Sequence, residues 1–173
     1  LPESAIASRY GAESAKGRSL LMNPTIVLAS DHAGYALKAL LVGDLRAAGH
    51  DVLDLGPDSE ASVDYPDFGA KAAAAIADGR AGRGIVVCGS GIGISIAANR
   101  NPAVRCALVT SGLMARLARQ HNDANCIALG SRIIGVEVAR DCVDQFLNTA
   151  FEGGRHAGRV AKLSLVSAKD AVA

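Results

Sequence analysis

Ile85, Val86 and Val87 form an unbroken β-branched run that passes straight into Cys88-Gly89-Ser90-Gly91-Ile92-Gly93. A continuous run of this kind suits a parallel strand covered on both faces, and parallel strands require crossover connections. The three glycines let backbone N–H groups converge on an anion. Ile94 to Asn99 read as the start of a helix, whose N-terminus adds about half a positive charge nearby. Cys88 sits at the junction, where a thiol can be held partly as thiolate and serve as nucleophile or base.

From Thr25 onward the same alternation recurs. Thr25 to Ala29 is a strand; Gly34 to Ala48 is a helix with Leu37, Leu40, Leu41 and Leu45 at helical spacing, closed by Gly49. Asp51 to Leu55 is a strand, Gly56 to Pro66 a loop, and Asp67 to Asp78 an alanine-rich helix stopped by Gly79. After the strand Gly84 to Cys88 come a strand at Arg105 to Val109, a helix at Gly112 to Gln120, a strand at Cys126 to Leu129 and an amphipathic helix at Gly135 to Leu147. The order βαβαβαβαβα predicts an α/β fold: a Rossmann-like three-layer sandwich with a five-stranded parallel sheet, helices on both faces and right-handed crossovers. Residues 22–173 read as one domain. Residues 1–21 lack sustained periodicity and read as an N-terminal extension, disordered or expression-derived, with an arm that docks on a neighbour as the alternative.

Composition excludes several classes of function. A net charge of +1 with 3% aromatic residues gives no basic or stacking surface for nucleic acid. No apolar run approaches the roughly 18 residues that span a bilayer, and no secretory core is evident, so the expected compartment is cytoplasmic with no membrane partner. Cys88, Cys106, Cys126 and Cys142 are widely spaced without a CxxC pair, so neither a zinc site nor a disulfide framework is expected, and three of them read as small core residues.

Ligands of such sheets bind outside the carboxyl ends of the strands. Strand one is followed by Ser30-Asp31-His32-Ala33-Gly34, strand three by the glycine turn, and strand five by Gly130-Ser131-Arg132. Ahead of strand five, His121-Asn122-Asp123 reads as a loop closing the preceding helix. Asp31, His32, Cys88, Ser90, His121 and the glycine turn are thus expected to share one edge. Each has a plainer alternative: Asp31 as a helix cap, Cys88 as a core thiol, His121 as a helix C-terminal cation, Ser90 as a turn residue. Their coincidence favours a site; His50, between Gly49 and Asp51, reads as a solvated turn residue.

The turn is neither GxxxxGK[ST] nor GxGxxG, which disfavours nucleotide binding, and it lacks the arginine that a cysteine phosphatase would use. Arginines occur instead at Arg132 and in Gly153-Gly154-Arg155-His156-Ala157-Gly158-Arg159. If the double glycine ends the preceding helix and Arg155 and Arg159 share a helical turn, their two forks suit a phosphate or carboxylate; a solvated basic face is the alternative.

Together, Ser30-Asp31-His32-Ala33-Gly34, Asp64-Tyr65-Pro66-Asp67, Cys88 to Gly93 with Ala97-Ala98-Asn99-Arg100, Ala118 to Asn125, and Arg155-His156 with Arg159 resemble the type B ribose 5-phosphate isomerases. That family also includes isomerases of allose, galactose and tetrose phosphates, and the resemblance runs in order from Thr25 to about Val166. It implies an aldose–ketose isomerase that needs no metal or other cofactor, opening the sugar ring and moving a proton between C1 and C2 through an enediolate. By resemblance Cys88 is the base, the Gly89, Gly91 and Gly93 segment stabilises the enediolate oxygen, and Ser90 bonds near the reacting oxygens. Some relatives use a glutamate one helical turn on, where this chain has Ile94.

The resemblance further assigns ring opening to His121 with Asp31 nearby, sugar hydroxyls to Asn122, and pocket positions to Tyr65 and Asn99. Phosphate falls to Arg132, Arg155 and Arg159 with His32 and His156. It also implies a homodimer or dimer of dimers with the active site shared between chains. Ribose 5-phosphate is the expected substrate; a tetrose, allose or galactose phosphate isomerase and a non-enzymatic phosphosugar-binding module are the alternatives.

Overall fold

In the computed structural model the described residues are 24–169, with side chains described up to residue 163; the expected 1–21 extension lies outside them. The elements in order are β1 (Ile26–Ser30), α1 (Tyr35–Ala47), β2 (Val52–Asp54), α2 (Tyr65–Ala77), β3 (Arg83–Cys88), α3 (Ile92–Ala98), β4 (Cys106–Leu108), α4 (Gly112–Asn122), β5 (Cys126–Gly130), α5 (Val136–Asn148) and α6 (Arg155–Lys169). All five strands pair in parallel in the order β2-β1-β3-β5-β4. The expected α/β sandwich is therefore the observed one.

Strand alternation distributes the core. Ile85, Val87, Ile127 and Leu129 face α1, α4 and α5, where they meet Leu41, Leu45, Ala115, Val143 and Phe146. Val86, Cys88, Cys126 and Ala128 face α2 and α3, where Ala72, Ala73, Ala75 and Ile94 close the second layer. Leu41 and Leu45 are fully buried, each worth about 1.5–3 kcal/mol in area removed from water. Among the buried polar groups, Lys38 of α1 is 1% exposed and bonds Asp54 Oδ1 at 2.6 Å, pinning α1 to the edge strand β2.

The chain leaves β1 toward α1 on one face and β3 toward α3 on the other. A crevice therefore opens between the carboxyl ends of β1 and β3, the switch point where open α/β sheets take ligands. Three boundaries differ from expectation for local reasons. Gly91 caps α3 at φ 77°, so that helix begins at Ile92 rather than Ile94. Pro66 lies in the first turn of α2, where its missing N–H costs nothing, so the helix begins at Tyr65 rather than Asp67. The double glycine does not end α5, which stops at Asn148; Gly153 and Gly154, both at positive φ, lead into α6. Among the described residues no helix is long and apolar enough to cross a membrane.

Candidate active site

The carboxyl edge of the sheet is built by three loops. After β1, Asp31 is buried in the crevice and its Oδ1 accepts the Gly34 N–H at 2.9 Å, closing the turn ahead of α1, whose N-cap is Gly34 rather than Asp31. His32 is tied through Nδ1 to Val63, with its backbone oxygen at 3.1 Å and its N–H at 3.3 Å. After β3, the Gly91 N–H donates to Cys88 Sγ at 3.1 Å and the Ile92 N–H donates to Ser90 Oγ at 3.2 Å. The amides of Gly89 and Ser90 donate to nothing among the described residues. The Gly93 N–H likewise donates to nothing among the described residues, so of the Gly89 to Gly93 run the Gly89, Ser90 and Gly93 amides are open to an oxyanion.

Gly91 permits this turn in two ways. Its φ of 77° is left-handed, and a Cβ there would stand 2.6 Å from Leu108 Cδ1 and 3.0 Å from the Leu129 carbonyl carbon. Gly93 leaves room for the Tyr65 ring, which a Cβ would meet at 2.6 Å.

After β5, the Ser131 N–H bonds the Cys88 carbonyl at 2.9 Å and the Arg132 N–H bonds that of Gly89 at 3.0 Å. The Ser131 hydroxyl donates to the Ala33 carbonyl at 2.8 Å, tying the loops after β1 and β5 together. Sequence reasoning missed that bridge, since a serine after a strand carries no spacing signal. Asp31, His32, Tyr65, Cys88, Ser90 and Arg132 line one cavity of about 390 Å³ together with Gly89 and Gly93. Such a volume suits a small ligand.

His121 and Asn122 do not share this edge, contrary to expectation. They form the end of α4, which runs into the amino end of β5, and are helix rather than loop. The five residues of β5 span about 15 Å and separate them from Cys88. Asp123 follows at φ 45°, a left-handed conformation held by Arg119 Nη1 on Oδ1 at 2.8 Å and Arg105 Nη2 on Oδ2 at 2.9 Å. Asn99 also lies at this amino edge, its amide exchanging two 2.8 Å bonds with the Cys106 backbone. Asn99, Arg100, Arg105 and Asn122 line a second cavity of about 380 Å³ with Leu163 of α6.

The C-terminal cluster belongs to the amino edge as well. Arg155 and Arg159 lie one turn apart in α6, both exposed, as the spacing predicted. His156 is buried, and its ring stacks on His121 with centroids 4.4 Å apart and planes 9° apart. Burial, then the neighbouring His121 and Arg155, lower the His156 pKa against a small opposing pull from Glu152. Glu152 is a residue the sequence reading did not single out, although it lies four before His156. Its Oε2 stands 3.9 Å from His121 Nε2 and 3.7 Å from His156 Nε2.

Cys142 and Cys126 behave as core thiols. Burial pushes Cys142 up to about 11, while a hydrogen bond with Cys106, and then burial, raise Cys126.

The family model described as Ribose/Galactose Isomerase matches residues 26–163. Among individual proteins, the chain is 41% identical over 141 residues to ribose-5-phosphate isomerase B of Escherichia coli K12, covering 82% of this chain and 95% of that protein. Of solved structures, Clostridium thermocellum ribose-5-phosphate isomerase B superposes with a TM-score of 0.83 at 50% identity, covering 84% of this chain and 98% of that one. The Mycoplasma genitalium ribose-5-phosphate isomerase B structure, which holds bound ribulose 5-phosphate, gives 0.80 at 39% identity, with 84% and 97% covered. With a crevice built from Asp31, Cys88 and the glycine turn, and with this breadth of match, the chain belongs to the ribose/galactose isomerase family.

Proposed function

We propose that this chain interconverts ribose 5-phosphate and ribulose 5-phosphate, with Cys88 as the carbon-acid base, in a site assembled from two copies. The observation that carries the reading is the Gly91 N–H aimed at Cys88 Sγ beside the free amides of Gly89 and Ser90. A donor aimed at sulfur stabilises negative charge that builds there, and two further donors await the charge that develops on the substrate oxygen.

Cys88 takes the proton from C2 of the open-chain aldose, the enediolate oxygen rests on the Gly89 and Ser90 amides, the same proton returns to C1, and the O2 hydroxyl proton passes to O1. Ser90, whose Oγ accepts from Ile92, keeps its own hydroxyl proton to donate to a reacting oxygen. Ile94, fully buried in α3, offers no carboxylate for the alternative base.

Ring opening and part of the phosphate grip need the other edge. His121, with Asn122 for a sugar hydroxyl, and Arg155, Arg159 and His156 for phosphate, come from a second copy facing the Cys88 cavity, where Asp31, His32, Tyr65 and Arg132 wait. Ile133, an exposed apolar side chain, lines that cavity, and Ile92 and Ile96 of α3, Leu113 and Leu117 of α4 and Val136 of α5 are exposed apolar side chains as well. Exposed apolar surface of this kind is what a protein-protein contact covers. A reducing compartment such as the cytoplasm keeps the free Cys88 thiol in its working form.

The test is turnover of ribose, erythrose, allose and galactose phosphates by the parent and by Cys88→Ala. Fast turnover of ribose 5-phosphate, lost in the variant, is the expected result. Binding without turnover by the parent removes the enzyme reading, and preference for another sugar removes only the named substrate.

A further inference from the structure

Ser131, the residue after β5, bonds both of the loops that carry candidate reacting groups. Its N–H donates to the Cys88 carbonyl at 2.9 Å, and its hydroxyl donates to the Ala33 carbonyl at 2.8 Å. That carbonyl belongs to the Ala33–Gly34 peptide unit, and the N–H at the other end of the same unit donates to Asp31 Oδ1 at 2.9 Å. Among the described residues no backbone N–H donates to the Ala33 carbonyl, so the serine hydroxyl is its donor. A path of hydrogen bonds thus runs from Ser131 Oγ across one amide to the Asp31 carboxylate.

We infer that Ser131 is a positioning residue for the isomerisation: its hydroxyl, acting through the Ala33–Gly34 peptide, aims the Asp31 carboxylate at the cavity that Cys88 also lines. The inference rests on the proposed isomerase reading, in which Asp31 stands beside His121 at ring opening. An amide whose oxygen accepts a hydrogen bond is a stronger donor at its nitrogen, so the two bonds reinforce each other. Held at both ends, the peptide plane cannot swing, and Oδ1 stays committed to Gly34. Oδ2 accepts no bond from the described residues and is the oxygen left for a ligand of that cavity. The peptide is also seated closely on β3, since a Cβ on Gly34 would stand 2.6 Å from the Val87 carbonyl oxygen. Removing the hydroxyl frees one end of the peptide but leaves the Ser131 N–H on the Cys88 carbonyl. The step that uses Asp31 should therefore slow while the thiol is spared.

The experiment is a double-substitution cycle on ribose 5-phosphate turnover, with the parent, Ser131→Ala, Asp31→Asn and the double variant, and with Ser131→Thr as the conservative control. Alkylation of Cys88 by iodoacetamide is timed in the parent and in Ser131→Ala. Expected for Ser131→Ala is a kcat about tenfold lower with KM within about threefold of the parent. Adding Ser131→Ala to Asp31→Asn should cost no more than about a further twofold, because a residue that acts through Asp31 has little left to lose. Ser131→Thr, which keeps the hydroxyl, should retain at least about half of the parental kcat. Cys88 should be alkylated at the parental rate in Ser131→Ala. Parental kcat in Ser131→Ala, the same fold-loss in both backgrounds, or Ser131→Thr as slow as Ser131→Ala would overturn the role. Altered alkylation would move the effect to Cys88 and overturn it as well. If Ser131→Ala does not fold, Ser131→Gly removes the same hydroxyl and takes its place in the cycle. A parent that turns over no sugar phosphate ends the isomerase reading and this role with it, whereas an active parent with an additive cycle ends the role alone.

Discussion

Cys88 Sγ lies 3.1 Å from the Gly91 amide nitrogen, a donor delivered to sulfur by the same turn that leaves the Gly89 and Ser90 amides open. Removing the sulfur should therefore remove the proton-transfer step and little else. Cys88→Ala is expected to lower turnover by about 10²–10⁴-fold, the usual range for a general base. Binding of ribose 5-phosphate, measured by calorimetry, should change by no more than a few fold. A variant that keeps most of its turnover would exclude Cys88 as the base.

The turn itself depends on Gly91. A Cβ at φ 77°, 2.6 Å from Leu108 Cδ1 and 3.0 Å from backbone of β5, adds left-handed strain to overpacking. Gly91→Ala should cost about 2–4 kcal/mol of stability, read from denaturant unfolding, and reduce turnover in the fraction that stays folded. Unfolding that matches the parent within error would mean that the turn accepts a side chain.

Much of this arrangement was legible beforehand. Ile85-Val86-Val87 meeting three glycines fixes a strand, a turn and a helix, and each punctuating glycine marks an element boundary to within a residue or two. The edge that His121 occupies differs from the expectation, and the chain order itself carries the reason. Residues ahead of a parallel strand lie at its amino end, so His121, just before β5, is turned away from Cys88 in its own chain. The helix also runs two residues beyond Gln120, because Arg105 and Arg119 converge on Asp123 at φ 45°. That clamp joins side chains 18 and 4 residues apart, which local spacing does not reveal. Lys38 is similar: its helical position reads as polar surface, and only the partner Asp54 on β2 explains its burial.

His156 gives the fold a pH dependence of definite sign. Burial foremost, then His121, Arg155 and Arg159, hold its pKa below the ordinary histidine value, with Glu152 pulling the other way. As pH falls through about 6.5 the unfolded chain takes up a proton that the folded chain takes up only lower. Its contribution is thus complete above that point and is lost as pH falls toward the folded value. Denaturant midpoints compared at about pH 7.5 and about pH 5 should drop more for the parent than for His156→Gln. An equal drop, or a His156 resonance titrating above the ordinary value, would contradict the assignment.

The separation of Cys88 from His121 by the length of β5 leads to a complementation test. Cys88→Ala chains keep His121, Arg155 and Arg159, whereas His121→Gln chains keep Cys88 and its glycine turn. Either variant alone builds sites that each lack one group. When equal amounts are unfolded and refolded together, half of the dimers are mixed. If sites are shared, each mixed dimer holds one site with both groups and one with neither, so about a quarter of the parent activity should return. A site confined to one chain gives no recovery, because no chain in the mixture carries both residues. If two copies associate as proposed, mixing without unfolding should restore activity only as fast as subunits exchange, and the time course tests whether the exposed apolar side chains Ile92, Leu113 and Ile133 help to hold them together.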